Sequence, residues 1–227
     1  GKISVGPPYF NAVFIPIMSL LFVIMGIGPL IRWKKAKKGE LLKQLPVISL
    51  LSVTFGLLFP VLYHGKFDLL VAMGISLATW VALVVMKDLY NQFRVNGQWS
   101  RDRFSLSHLG MALAHCGIAV TIVGITLVSS YEIEMNVKMS PNESVELSRY
   151  RIEFQGTRSV EGPNYSAEQG LLAVYDGDEF IDVLRPERRS YRVQTMGMTE
   201  AGIDPGLFRD IYVALGEPLD GDAWAIR

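Results

Sequence analysis

Four long stretches without a charged residue constrain this chain more than any other feature of its sequence. An α-helix rises about 1.5 Å per residue, so about 20 apolar residues cross a hydrocarbon core of about 30 Å. Each stretch has about that length, and Trp or Tyr lies near several of the ends. Four such runs in succession disfavour the alternative of buried helices in a large water-soluble protein. The predicted transmembrane helices lie at about residues 11–31, 46–63, 68–86 and 108–130.

Basic residues predict the orientation of these helices. The first connection carries a cluster at residues 32–38, and the third carries Lys87, Arg94, Arg101 and Arg103, whereas the second has only Lys66. The positive-inside rule places the first and third connections in the cytoplasm. Residues 1–10, the loop around His64 and everything after Tyr131 are then outside.

The net charge of zero is a cancellation between two parts of the chain. Residues 1–130 carry a balance of +8, and the remainder carries −8. A basic cluster next to a predicted membrane span is explained by its juxtamembrane location. The sequence therefore gives no indication of a nucleic-acid partner.

The sequence changes character after the fourth apolar run. Residues 131–139 alternate between polar and apolar side chains, which is typical of a half-buried strand. Turn-forming residues separate further short runs, at about residues 149–154, 171–175, 180–184, 191–195 and 211–215. Six to nine strands at this spacing favour a small antiparallel sandwich or barrel. The predicted fold class is a membrane protein with an α-helical bundle of four transmembrane helices at residues 1–131, plus a small antiparallel all-β extracytoplasmic domain at residues 132–227.

Few side chains in the predicted bundle can carry chemistry. The single cysteine, Cys116, has no partner for a disulfide or a redox pair, and we expect it to be a small core residue. Of the three histidines, His64 lies in the external loop and His108 near the cytoplasmic interface, whereas His115 lies about 10 Å deeper along the fourth helix. An ionisable group at that depth is costly and indicates function.

The position of His115 leaves three roles open. A neutral imidazole is a good ligand for heme iron or another transition metal, it can relay protons, and it can hydrogen-bond a neighbouring helix. His108 and His115 share a helix face but are too far apart to ligate one iron. A second axial ligand would have to come from another helix, and the chain holds no further membrane-buried histidine.

Two other patterns favour structural interpretations. A stripe of small residues follows i+3/i+4 spacing on the fourth helix and predicts close helix packing, with His115 beside it. The stripe consists of Gly110, Ala114, Gly117, Thr121 and Gly124. In the β-domain, four arginines at positions 185, 188, 189 and 192 favour a solvated strand face over a grip on heme propionates.

Several longer motifs carry a resemblance to a known family. They lie at residues 4–11 (SVGPPYFN), 110–117 (GMALAHCG), 186–191 (PERRSY), 198–203 (MTEAGI) and 210–212 (DIY). Over essentially its whole length, the chain resembles the C-terminal half of the CcmF/NrfE family of cytochrome c-type biogenesis proteins, the heme lyase subunits of the bacterial system I pathway.

The resemblance implies a multi-pass protein of the bacterial inner membrane with its C-terminal domain in the periplasm. Such a protein attaches heme covalently to apocytochrome c, together with CcmH and CcmI-type subunits and the heme chaperone CcmE. The family holds a membrane heme b that reduces the substrate heme, and its axial ligands are two transmembrane histidines. One of them matches His115, which is thereby predicted as an axial ligand of the heme iron.

Other family features have no counterpart in this sequence. The tryptophan-rich external segment, its two flanking histidines, the second heme b ligand and a final transmembrane helix are absent. There is no initiator Met, and residues 223–227 read like an unfinished strand, so we expect a piece of a longer chain that is inactive alone. Two alternatives are a transporter or channel segment in which His115 relays protons, and a non-catalytic assembly scaffold.

Overall fold

The computed structural model describes residues 6–28, 38–95, 98–99, 105–193 and 197–227. It divides into two compact units, Gly1–Glu132 and Ile133–Arg227. The first contains helices α1 (Pro7–Ile27), α2 (Lys38–His64), α3 (Leu69–Phe93) and α4 (Leu106–Tyr131), and a two-stranded hairpin, β1 (Arg94–Val95) and β2 (Gln98–Trp99). The cluster at residues 32–38 lies almost wholly outside the described residues.

Local sequence signals define where the helices begin and end. Gly65, with a φ of 73°, terminates α2 in the left-handed conformation that glycine adopts without strain. Asp68 then caps α3, because its carboxylate accepts hydrogen bonds from the backbone N–H groups of Leu70 and Val71 at 2.8 and 3.1 Å. Ser105 caps α4 in the same way by accepting from the backbone N–H of His108 at 3.1 Å. The connection between α2 and α3 is short, because α2 ends at His64 and α3 begins at Leu69.

Three described helices are long and apolar enough to cross a membrane: residues Leu45–His64, Leu69–Phe93 and Leu106–Tyr131. The described part of the first predicted span contributes a shorter apolar helix, Asn11–Ile27, and the predicted continuation to residue 31 lies outside the described residues. Large apolar side chains such as Leu62, Val120 and Ile17 point outward from these helices. An apolar exterior of this kind suits a lipid environment.

Helix α3 is the centre of this unit. It buries nine residues, more than any other described helix, and these include Val81, Val84 and Val85. Glycines let its neighbours approach closely, because a Cβ on Gly56 of α2 would lie 2.0 Å from Ser76 Oγ and one on Gly74 would lie 2.1 Å from Thr126 Oγ1 of α4. The Trp80 indole N–H links α3 to α1 by donating to the Val23 carbonyl at 3.2 Å.

The second unit is an antiparallel β structure with eleven strands among its described residues. They are β3 (Val137–Met139), β4 (Glu143–Leu147), β5 (Tyr150–Glu161), β6 (Tyr165–Asp176), β7 (Glu179–Leu184), β8 (Glu187–Tyr191), β9 (Gly197–Glu200), β10 (Gly202–Pro205), β11 (Asp210–Val213), β12 (Leu215–Pro218) and β13 (Trp224–Ile226). The predicted count of six to nine strands is therefore too low. The run at 191–195 is also misplaced, since β8 ends at Tyr191 and residues 194–195 lie outside the described residues.

Three sheets make up this unit. The largest has the order β4-β5-β6-β8-β9, and β7 pairs with the second half of β6. The others are β12-β13-β3 and the hairpin β10-β11. The apolar core includes the fully buried side chains of Phe154, Leu172 and Leu215. Together the two units confirm the predicted fold class of a membrane helical part plus an antiparallel β-sandwich.

Candidate functional site

His115 lies on the buried side of α4. The buried residues of this helix are Ala112, Ala119 and Ile122, whose i, i+7, i+10 spacing defines one face. His115 is three residues after Ala112 and four before Ala119, which places it on the same face, and its side chain is half-buried. Ala119 packs in a cluster with Trp80, Val81 and Val84 of α3. The predicted ligand is thus held in the packed part of the helical unit.

One ring nitrogen of His115 is already engaged within the helix. Its Nδ1 lies 2.8 Å from the backbone carbonyl oxygen of Met111, one turn earlier. Because a carbonyl oxygen only accepts hydrogen bonds, Nδ1 carries the proton in this contact and donates it. The other nitrogen, Nε2, then bears the lone pair. A histidine whose orientation and tautomer are fixed by a backbone carbonyl is a common arrangement for a metal-ligating imidazole.

A second polar pair lies on the same two helices. His108 Nε2 is 2.7 Å from the carboxylate Oδ2 of Asp88, and Asp88 is 8% exposed. The sequence placed His108 near the cytoplasmic interface without assigning it a partner, and it did not single out Asp88, because the third helix was predicted to end at residue 86. The sequence feature that could have revealed this pair is a carboxylate shortly after one apolar run and a histidine at the start of the next. The pair joins the end of α3 to the start of α4, two turns from His115.

The predictions for the opposite side of α4 are wrong within the described residues. Cys116 is exposed and not a core residue. The small-residue stripe is exposed as well, and a Cβ added to Gly110, Gly117 or Gly124 would meet nothing within 4 Å. Packing against α3 uses the face of Ala112 and Ala119, and farther along α4 Gly74 of α3 makes room for Thr126.

His64 is the last residue of α2, where sequence analysis predicted a loop. Its ring lies 4.9 Å from that of Tyr131 at the end of α4, and the ring of Tyr63 lies 5.5 Å from the same tyrosine. Aromatic residues are enriched where transmembrane helices reach the water interface. This cluster fits an interfacial location and brings no further ligand near His115.

Most of the arginines considered as propionate ligands have partners within the β unit. Arg188 Nη1 donates to the Gly216 carbonyl at 2.7 Å, and Arg189 pairs with Glu187 and Glu200 at 2.8 and 3.1 Å. Burial raises the pKa of Glu187, but hydrogen bonds from Arg189 and Gln169 outweigh it and hold the pKa below its usual value. These contacts support a structural role for the arginines.

No group of three or more His, Cys, Asp or Glu side chains able to hold a metal ion occurs in the described part of the chain. A heme needs fewer ligating side chains from any one segment than a metal ion held by protein side chains alone, because a single imidazole supplies one axial ligand. His115 fits that requirement, with its free nitrogen, half-buried ring and apolar neighbours. The site is chemically capable of contributing one ligand to a larger center.

The fold and the site define a class: a multi-pass membrane protein that carries a β-sandwich and a half-buried histidine on a membrane-spanning helix. Residues 130–227 match the family model described as the CcmF C-terminal beta-sandwich. Over 227 residues the chain is 43% identical to the cytochrome c-type biogenesis protein CcmF of Pseudomonas fluorescens and 34% identical to CcmF of Escherichia coli (strain K12). Each match covers 100% of this chain and 34% of the relative, so the chain spans about a third of the length of these relatives.

A solved structure gives the same result for the fold. The chain aligns with a structure titled "Cytochrome c Heme Lyase CcmF" with a TM-score of 0.76 and 21% identity, covering 97% of this chain and 36% of the other. These similarities agree with the family resemblance expected from the sequence: residues 130–227 match the model of the CcmF C-terminal beta-sandwich, and over its whole length the chain is similar to a part of CcmF.

Proposed function

We propose that this chain is part of a heme lyase that attaches heme covalently to apocytochrome c during cytochrome c maturation. The proteins that it resembles support this proposal, since they are named cytochrome c-type biogenesis proteins and a solved structure with the same fold is named a heme lyase. Because the chain spans about a third of those relatives, the activity belongs to a larger protein to which it contributes.

Within that function, we propose His115 as one axial ligand of a membrane heme b. The observation that carries the proposal is the hydrogen bond from Nδ1 to Met111, which orients the ring and leaves Nε2 free. Ligation through Nε2 puts no charge into the apolar region, because the imidazole is neutral. When bound, such a heme supplies one-electron chemistry, which fits a role in keeping the substrate heme reduced. The second ligand comes from sequence outside this chain.

The proposal extends to location and partners. We place the protein in the bacterial inner membrane, with the β unit in the periplasm. The basic connections at residues 32–38 and 87–103 support this orientation, because basic loops stay in the cytoplasm. CcmH, CcmI-type subunits and CcmE are the proposed partners, along with apocytochrome c. The described part of the β unit has no group of three or more His, Cys, Asp or Glu side chains able to hold a metal ion, which favours docking over metal-dependent catalysis as its role.

A spectroscopic comparison of two histidine variants tests the heme assignment. The full-length protein is purified in detergent as wild type, His115→Ala and His64→Ala. We expect the wild type and His64→Ala to retain the Soret band and the α/β bands of a low-spin heme b in the reduced state. His115→Ala should lose most of the heme or shift to a high-spin spectrum. Unchanged heme content and spectrum in His115→Ala would remove the assignment.

The proton-relay and scaffold alternatives are tested on the same samples. A relay histidine or a structural hydrogen bond predicts no heme signal that depends on His115. A proton relay would need polar side chains that face each other at several depths in the membrane. The described helices offer few of these apart from the Asp88–His108 pair.

A further inference from the structure

The hairpin of β10 and β11 ends in an apolar tip. Leu207 and Phe208 lie between the two strands and are 89% and 95% exposed. Ile203 and Tyr212, which are paired across the two strands, are also more than half exposed. The alternate residues Ile211 and Val213 are buried in the core. The hairpin therefore has one face in the core, while its other face and its tip present apolar side chains outward.

Polar contacts hold this tip in a defined shape. The Arg209 guanidinium donates to the backbone carbonyl of Asp204 at 3.0 Å and also pairs with its carboxylate. The Gly206 N–H donates to the Asp210 carboxylate at 3.0 Å. A Cβ on Gly206 would lie 2.5 Å from the Arg209 carbonyl oxygen, so the turn is tight. These contacts fix the turn with the side chains of Leu207 and Phe208 pointing outward, while Arg209 and Asp204 pair with each other.

The occupant of this tip follows from the rest of the chain. Helix α4 ends at Tyr131 and β3 begins at Val137, so a connection of at most about 20 Å tethers the β unit to a membrane-spanning helix. A bilayer surface is therefore within reach of this unit. Leu and Phe are side chains that enter the boundary between headgroups and acyl chains.

We propose that the β10–β11 hairpin is a membrane-surface anchor that inserts Leu207 and Phe208 into the headgroup–acyl boundary. The charges at the tip predict how it binds. Arg209 is already paired with Asp204, and Asp210 adds a further negative charge, so the tip carries no free cation for anionic lipids. Apolar contact drives the insertion, and neither ionic strength nor the fraction of anionic lipid changes it appreciably.

Site-specific fluorescence in nanodiscs tests the proposal. A polarity-sensitive coumarin amino acid is incorporated at position 208 of the full-length protein, and the matched control carries it at position 178, in the polar turn between β6 and β7. The nanodiscs contain phosphatidylcholine, with or without an anionic lipid, and a spin-labelled lipid as quencher. Each is measured at low and at high salt, and iodide serves as the aqueous quencher. We expect emission at position 208 to be blue-shifted, quenched several-fold more by the lipid probe than at 178, and protected from iodide.

Three outcomes would overturn the proposal. Equal lipid quenching at both positions, or full iodide access at 208, shows a tip in water. Protection from both quenchers shows a protein surface covering the tip in place of lipid. Lipid quenching that disappears at high salt or without anionic lipid shows an electrostatic association and contradicts the apolar mechanism. Since position 208 is almost fully exposed, the substitution leaves the fold intact and each result is interpretable.

Discussion

Replacing Gly56 with Ala should separate two helices that the structure holds in close contact. A Cβ at this position would lie 2.0 Å from Ser76 Oγ, 2.6 Å from the Ala72 carbonyl oxygen and 2.7 Å from the Ser76 backbone nitrogen. Two of these atoms belong to the α3 backbone, so no change of rotamer removes the overlap. Overpacking of this kind costs about 1–3 kcal/mol, and the better helix propensity of Ala returns up to about 1 kcal/mol. We expect a net loss of about 1–2 kcal/mol.

Other glycines of the bundle provide the controls. Gly117→Ala adds the same methyl group where nothing lies within 4 Å, so it should be neutral or slightly stabilising. The three atoms nearest to a Cβ on Gly74 all belong to the Thr126 side chain, so adding Thr126→Gly to Gly74→Ala should restore much of the loss. Adding Ser76→Gly to Gly56→Ala should restore little, because the backbone overlap remains.

Unfolding in mixed micelles measures these effects. Helicity is followed by circular dichroism as the SDS fraction rises, and 1.4 kcal/mol corresponds to a tenfold change in the unfolding equilibrium constant. A Gly56→Ala variant as stable as Gly117→Ala, or one fully rescued by Ser76→Gly, would contradict the predicted overlap with the α3 backbone.

Three further predictions follow from the two units. Asp88→Ala leaves His108 without its carboxylate and should destabilise the helical unit by about 1–3 kcal/mol; a double-mutant cycle with His108→Ala should be non-additive, and additive losses would contradict the pairing. Phe154→Ala empties a fully buried position of the β core and should cost about 3–5 kcal/mol, seen as faster amide exchange in β5 and β6; unchanged exchange would contradict the core assignment. Glu187 has a lowered pKa, so its stabilisation is present above its unfolded pKa of about 4.5 and is lost as pH falls through the folded value. The stability difference between wild type and Glu187→Gln, measured by amide exchange in β8, should therefore shrink from pH 6 to pH 3. A constant difference would argue against the ion pair.

The helices were predictable from the sequence because hydropathy alone determines whether a segment can cross a membrane. Their ends were less so: α3 continues to Phe93, beyond the predicted end at 86, and within this extension Asp88 lies 2.7 Å from the His108 ring. The hydrophobic periodicity of α3 and α4 does not show that His108 contacts Asp88. The packing face of α4 was also misassigned, because a small-residue stripe does not reveal which of two faces the neighbouring helix uses.

In the β unit, alternation located several strands but not their lengths. β6 runs for twelve residues, from Tyr165 to Asp176. The predicted run at 171–175 marks only its buried apolar end, because its start at Tyr165 and Ser166 has no apolar run to reveal it. The sheet order depends on long-range pairing, such as β13 with β3, which short-range patterns do not encode.

For the site, the cost of an intramembrane histidine was enough to single out His115. The role of each ring nitrogen was not predictable, because it depends on the approach of Nδ1 to the Met111 carbonyl one turn away.

Rescue by a free ligand tests the proposal that His115 ligates a heme iron through Nε2. His115→Gly removes the imidazole and leaves a space at the same position. We expect the reduced spectrum of the full-length variant to lose its low-spin bands and added imidazole to restore them in a saturable manner. A variant that retains the wild-type low-spin spectrum without imidazole would show that His115 is not a ligand.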